Sequence, residues 1–252
     1  MKYFVIADVH GFYTEMKRAL DKAGFDPTNP DHFLVSLGDA LDRGKEPKEC
    51  LEYLLSLNPA QRALIRGNHE DLMEDAIVRG NFFPNDITNG TMGTALRLTG
   101  ARNEFSALQE MRTQPLYNAY IRETINYFET KNCVFVHGWI PCYKGIKSKY
   151  LVLSGWRKMP REIWQEARWV NGMQAWYDGV IEPHKTIYCG HWHTEWGREV
   201  IDKTVTWHTA KNTDFEPWVK KGIVAMDACT VYTGFVNCVV VEDEPLDEEK
   251  GN

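Results

Sequence analysis

Five stretches of the chain open as short apolar runs and close on aspartate, asparagine or histidine: YFVIADVHG (3–11), FLVSLGDALDRG (33–44), ALIRGNHE (63–70), CVFVHGW (133–139) and TIYCGHWHT (186–194). Runs of this length, rich in branched and aromatic residues and stopped by glycine, predict β-strands. Between the first three, the apolar spacing changes to that of amphipathic helices. Residues 13–23 carry Met16, Leu20 and Ala23, and residues 47–57 begin with a proline and carry Leu51, Leu54 and Leu55. Residues 70–78 group Leu72, Met73, Ala76 and Ile77 on one face. This β-α-β-α-β rhythm predicts an α/β fold with right-handed crossovers, a largely parallel sheet and helices outside it.

The rhythm breaks twice. Residues 80–130 carry Gly80, Pro84, Asn89-Gly90, Gly93 and Gly100 before a helix-like stretch at 116–128. Residues 145–182 contain a helix-like 160–167 and turns at Gly172 and Gly179. Both segments read as helical, cap-like inserts over one side of a pocket. Residues 222–243, GIVAMDACTVYTGFVNCVVVED, predict two strands joined by a turn near Thr233-Gly234. With no linker, repeat or low-complexity stretch, residues 1–240 are expected as a single domain, followed by an acidic tail at 241–252.

Composition narrows the functional classes. A chain of 252 residues with 43% hydrophobic side chains can bury a sizeable core. No apolar run reaches membrane-spanning length, and the opening MKYFVIADVHG lacks the long apolar stretch of a signal peptide, so a cytoplasmic protein is expected. The net charge of −6 disfavours nucleic acid as a partner, because long polyanions are gripped by a basic surplus. The cysteines form no CxxC pair and mostly lie in apolar runs, so they read as buried free thiols. The tryptophans all fall at or after Trp139. Trp139 and Trp192 lie inside histidine-bearing segments, where they could wall a pocket and stack on a flat substrate group.

The residues that end the strands carry the chemistry. Side chains two apart on a strand share a face, so Asp8 and His10 can bind one ion. Asp39 offers two carboxylate oxygens, enough to touch two ions. Asn68 adds a neutral oxygen, and His137, His191 and potentially His193 add imidazoles. Such mixed oxygen and nitrogen ligands suit transition metals, so the expected cofactors are two divalent transition-metal ions, manganese first and iron, zinc or nickel as alternatives. Two cations about 3.5–4 Å apart acidify a bridging water and clamp the oxygens of an in-line phosphoryl displacement. His69, not needed as a ligand, is the expected general acid, and Asp42 would hold its imidazole and raise its pKa. Arg43 would chelate phosphate oxygens through its planar fork. His208 could reach the pocket rim, though a plain strand histidine is an equal reading.

The motifs D-x-H-G, G-D-x-x-D-R-G and G-N-H-E, followed by separate histidines after later strands, resemble those of the calcineurin-like metallophosphoesterases. The G-D-x-x-D-R-G and R-G-N-H-E forms resemble the PPP branch of serine/threonine protein phosphatases, phage lambda-type phosphatase and symmetrical diadenosine tetraphosphatases. The resemblance covers residues 1–240 and implies a four-layer αββα sandwich. It implies Asp8, His10 and Asp39 on one metal and Asp39, Asn68, His137 and His191 on the other, with Asn68 and Arg43 beside the substrate. It also supports His69–Asp42 as the proton-donor pair. Two departures stand out. The last motif is GHWH rather than GHTP, and its second histidine, His193, resembles the extra first-metal ligand of the broader superfamily. At the Trp-x-Arg position of protein phosphatases the chain has Trp169-Val170-Asn171, so Asn171 replaces a second phosphate-binding arginine. Arg168 and Arg157 are the nearby substitutes, though both read more readily as surface or packing residues. The expected activity is hydrolysis of a phosphomonoester, in a phosphoprotein or a small phosphorylated molecule. The alternative is a phosphodiesterase or dinucleoside polyphosphate hydrolase, favoured by GHWH and the missing arginine because diesters carry less charge to clamp. A non-catalytic binding module is the remote alternative, since no ligand is missing.

Overall fold

Apolar runs are continuous rather than alternating where both faces of a sheet are covered. In the computed structural model, which describes residues 1–204 and 214–246, strand β1 (Lys2–Ile6) is buried at every residue after Lys2. Phe4 and Ile6 face one core while Tyr3 and Val5 face another. The chain continues through α1 (Tyr13–Ala23), β2 (His32–Ser36), α2 (Pro47–Ser56), β3 (Arg62–Ile65) and α3 (Asn68–Arg79). Four further helices follow: α4 (Pro84–Asn89), α5 (Thr91–Thr99), α6 (Glu104–Met111) and α7 (Pro115–Glu123). Then come β4 (Thr124–Ile125), β5 (Phe128–Glu129), β6 (Cys133–Phe135), β7 (Cys142–Lys144) and β8 (Tyr150–Val152). Helices α8 (Arg161–Arg168) and α9 (Gly172–Tyr177) precede β9 (Thr186–His193). The last elements are β10 (Trp218–Lys220), β11 (Ile223–Asp227), α10 (Thr230–Thr233) and β12 (Cys238–Glu242).

Two five-stranded sheets result. The first runs β12-β1-β2-β3-β4, parallel except for β12, which sets Glu242 opposite Lys2. The second runs β10-β11-β9-β6-β5, with β11, β9 and β6 parallel and the edge strands antiparallel. Strands β7 and β8 make a separate hairpin. Tyr3, Val5, Val35 and Ile65 of the first sheet pack on Phe135, Tyr188, Val224 and Met226 of the second. The outer face of the first sheet packs Ile6, Leu34 and Leu64 against Met16 and Leu20 of α1, Leu51 of α2 and Met73 of α3. The second packs Val134, Ile187 and Ala225 against Trp164 of α8 and Met173 of α9. The layers are therefore α, β, β, α. Each large aliphatic or aromatic side chain fully withdrawn from water contributes about 1.5–3 kcal/mol.

Residues 80–130, read from sequence as a cap, contribute mainly to the outer helical layer. Ala95 and Leu98 of α5, Met111 of α6 and Tyr117 and Tyr120 of α7 all enter the first core, which leaves no free-standing lid in this segment. The helix expected at 116–128 ends at Glu123, because Thr124 and Ile125 leave it to pair beside β3. The two strands expected near the end form, but not as a hairpin: β11 joins the second sheet and β12 the first. The acidic segment is tied down at its start, where the Asp243 carboxylate accepts from the Thr130 hydroxyl and the Asn132 N–H. Residues 247–252 of that tail, and His208, lie outside the described residues. The strand carboxyl ends of β1, β2, β3 and β6 lead directly to Asp8, Asp39, Asn68 and His137, and β9 itself carries His191 and His193. Open α/β sheets bind ligands at such ends.

Candidate metal centre and active site

The backbone at this edge is bent to point side chains inward. Asp8, His10, Asp39 and His191 have φ of 52°, 51°, 52° and 68°, and Asp42 and Arg43 have 74° and 64°. Left-handed backbone costs a non-glycine residue about 1–2 kcal/mol, so six such residues need strong support. Loop-to-loop bonds supply part of it: Asp8 N–H donates to the Gly38 carbonyl, His10 N–H to Asp39 and Gly11 N–H to Ala40. Glu70 supplies more. Its buried carboxylate accepts from the N–H groups of Asp39 (3.0 Å), Ala40 (3.1 Å) and Gly67 (2.8 Å). Gly67 is required by contact, since a Cβ there would lie 2.0 Å from Asp39 Oδ1.

Asp39 sits at the centre. Its Oδ2 lies 3.4 Å from Nε2 of His137 and 3.8 Å from Nε2 of both His10 and His69. His10 and His137 donate their Nδ1–H to the carbonyls of Leu41 (3.0 Å) and Leu37 (2.8 Å), so each presents an Nε2 lone pair to the centre. His137 Nε2 also faces Asn68 Oδ1 at 2.7 Å. Asp8 is fully buried, and both its oxygens accept from the His191 N–H, at 2.9 and 3.1 Å. Among the described residues, two groups have the geometry to hold a cation, His10–Asp39–His69 and Asp39–His137–His191, and they share Asp39.

The electrostatics agree. Burial lowers the His10 and His137 imidazoles, and burial with the neighbouring His137 lowers His191 to about 3. These rings are neutral and free to ligate. Burial would raise the Asp39 carboxyl, but His137, His69, His10 and the His69 N–H hold it below the usual carboxylate range. Burial, then the neighbouring Asp227 and Asp39 carboxylates, push Asp8 well up. Several buried lone pairs facing one another at 2.7–3.8 Å with little positive charge between them fit a pair of divalent cations. A positive group that does reach them is Arg43, whose guanidinium lies 2.8 Å from Nε2 of His10 and 3.3 Å from Nε2 of His69.

His69 differs from the other imidazoles. Burial works against its charged form, but Asp39 and a 2.7 Å hydrogen bond from Nδ1–H to Asp42 outweigh burial, so its pKa is raised. Imidazoles with lowered pKa and one with a raised pKa are thus separated by environment within one cluster. Asp42 is fixed in turn by the Thr91 hydroxyl at 2.7 Å, and its N–H donates to the Thr94 hydroxyl. Both threonines lie on α5, the part of the 80–130 segment that touches the centre.

Two expected substrate contacts are corrected. Trp139 is 1% exposed, and its indole N–H donates to the Val180 carbonyl within the second core, so it cannot stack on substrate. Asn171 caps α9, accepting from the Gln174 N–H, and does not replace an arginine. Arg168 is committed to Asp71 and Asn126, and Arg157 to Glu129 and Glu182. Trp192 is 39% exposed, with its ring 6.3 Å from His191. Trp169, not singled out from sequence, is 46% exposed and meets His191 edge-on at 5.7 Å. His193 lies 3.7 Å from Asp227, a buried carboxylate the sequence reading passed over. The signal was present: IVAMD is a further apolar run closing on aspartate.

Paired acid and imidazole clusters sharing one carboxylate, at the strand ends of an αββα sandwich, define a metallophosphoesterase. The chain belongs to the calcineurin-like phosphoesterase family, whose profile matches residues 1–211. Over 70 residues it is 39% identical to the symmetrical bis(5'-nucleosyl)-tetraphosphatase of Photorhabdus laumondii, covering 28% of this chain and 24% of that protein. Over 73 residues it is 36% identical to serine/threonine-protein phosphatase 1 of Salmonella typhimurium, covering 29% and 32%. The aligned part thus spans a third or less of either relative. The cold-active protein-tyrosine phosphatase of a Shewanella species matches in structure with a TM-score of 0.56 at 14% identity, over 96% of this chain and 75% of that one. At that identity the likeness is one of fold. No helix among the described residues is long and apolar enough to cross a membrane.

Proposed function

We propose that the protein hydrolyses phosphomonoesters, in phosphoproteins or small phosphorylated molecules. The observation that carries this reading is the sharing of Asp39 between two groups with the geometry to hold a cation, one of which includes the raised-pKa His69. Asp8, His10, Asp39 and His193 would hold one metal, and Asp39, Asn68, His137 and His191 the other. Manganese is the proposed occupant, supported by the mixed oxygen and nitrogen donors. When bound, the cations would activate water and neutralise phosphate charge. The chain's own residues do the rest. Arg43 turns its fork from the imidazoles to two phosphate oxygens, and Asn68 lies beside the same phosphate. As the bond from phosphorus to the leaving oxygen breaks, His69 passes its Nε2 proton to that oxygen. Asp42 retains the Nδ1 proton and keeps the ring aligned. A cytoplasmic location is proposed alongside, supported by six free cysteines.

A second reading, hydrolysis of phosphodiesters or dinucleoside polyphosphates, is favoured by the exposed indoles of Trp169 and Trp192 beside His191 and by the absence of an arginine at Asn171. Rates on p-nitrophenyl phosphate, bis-p-nitrophenyl phosphate and diadenosine tetraphosphate, with bound metal measured on the same manganese-loaded sample, decide between them. A dominant monoester rate supports the first reading. A dominant diester or tetraphosphate rate replaces it with the second.

A further inference from the structure

Strands β9 and β11 run in parallel register until Ala225 pairs with Cys189, and the register then shifts so that Asp227 pairs with His193. An unbroken register would have set Asp227 opposite His191. The slip coincides with the left-handed backbone of His191, φ 68°. Irregularities of this kind beside a site re-aim a side chain, and this one brings a carboxylate to the second histidine of GHWH.

The pair is built rather than incidental. Asp227 is 2% exposed, and one carboxylate oxygen accepts from the Cys229 N–H at 2.7 Å. Cys229 has φ 52°, so this turn too is held in an unfavoured backbone region. The other oxygen faces His193 Nε2 at 3.7 Å, and the Asp227 carbonyl accepts from the Thr194 N–H. The same stretch of β9 lies against Asp8, whose oxygens accept from the His191 N–H. His193 is half-exposed and lies beyond the kink, with Asp227 3.7 Å from its Nε2.

We propose that Asp227 is a positioning residue of the metal centre, holding the His193 ring so that the imidazole serves the cation bound by Asp8 and His10. The assignment rests on the two-metal reading above. Asp227 stands behind the His193 imidazole at 3.7 Å as Asp42 stands behind His69 at 2.7 Å. Carboxylates standing behind metal-ligating histidines are worth about 10–100-fold in metal affinity.

The test uses the full chain loaded with manganese and read by low-temperature EPR and metal content. Wild type is expected to hold two ions per chain with an exchange-coupled spectrum. Asp227→Asn should weaken one ion about 10–100-fold and leave the spectrum of a lone ion. His193→Ala should do the same, the double variant should lose no more than either, and Asp227→Glu should recover part of the coupled signal. Circular dichroism of the metal-free variants should match wild type. A coupled, two-ion wild type with an equally coupled, equally tight Asp227→Asn variant overturns the role of Asp227 alone. So does Asp227→Asn unfolding while His193→Ala keeps both ions. A wild type without any coupled pair overturns the two-metal reading and this assignment together.

Discussion

His69 and His137 both point Nε2 at one oxygen of Asp39, yet their partners send them in opposite directions. His137 gives its Nδ1 proton to a neutral carbonyl and its pKa is lowered by burial, whereas His69 gives its own to the Asp42 carboxylate and its pKa is raised. A single change at His69 should therefore remove proton donation and leave ligation intact. His69→Asn is expected to cut kcat about 10²–10⁴-fold on p-nitrophenyl phosphate while bound manganese stays at the wild-type level. Loss of metal in parallel with rate would make His69 a ligand. The clustering of the proposed ligands was legible in sequence because each closely follows or ends an apolar run. Trp139 and Trp169 were not separable, because burial depends on which face of the second core each indole meets.

At the scale of elements, the alternation of the first third translated directly: residues 13–23 form α1 with the expected bounds, and 47–57 form α2 less its last residue. Helix α3 starts earlier than apolar spacing implied, at Asn68, because Glu70 reaches back to the Gly67 N–H and winds the first turn around the site. What sequence did not show is which strands share a sheet, since β11 and β12 are both short apolar runs closing on an acid but pair on different layers. Nor did it show the tie between the outer layers. Asp71 on α3 accepts from Arg66 at 2.7 Å and from Arg168 on α8 at 2.7 Å, with Arg168 buried. Arg66 would still partner Asp71 after Arg168→Met, so the expected loss is about 2–3 kcal/mol rather than that of an orphaned buried charge. Urea unfolding of metal-free protein measures it, and wild-type stability in the variant would contradict the tie.

The whole molecule feels the centre through protons. His191, lowered to about 3, adds stability above the ordinary histidine value of about 6.5 that is lost as pH falls towards 3, because the unfolded chain takes up a proton the folded one refuses. Asp8 works the other way. Its raised carboxyl adds stability below the ordinary value of about 4, and this is lost as pH rises through the folded pKa. A cation must displace the Asp8 proton at low pH but not at high pH, so added manganese should raise Tm more at pH 8 than at pH 5. Thermal scans with and without manganese at both values check this, and equal shifts would count against Asp8 as a ligand.

Strand β1 is flanked by β2 on one side and by β12 on the other, with Lys2 opposite Glu242. During synthesis, β1 must wait for β12 before its sheet is complete. Asp8 and His191, bonded across 183 positions, wait almost as long. Closing such distant contacts is slow and leaves a bare strand flank meanwhile. The first sheet and the Asp8–His191 contact therefore form only once β12 and β9 are available to pair, late relative to the local helices.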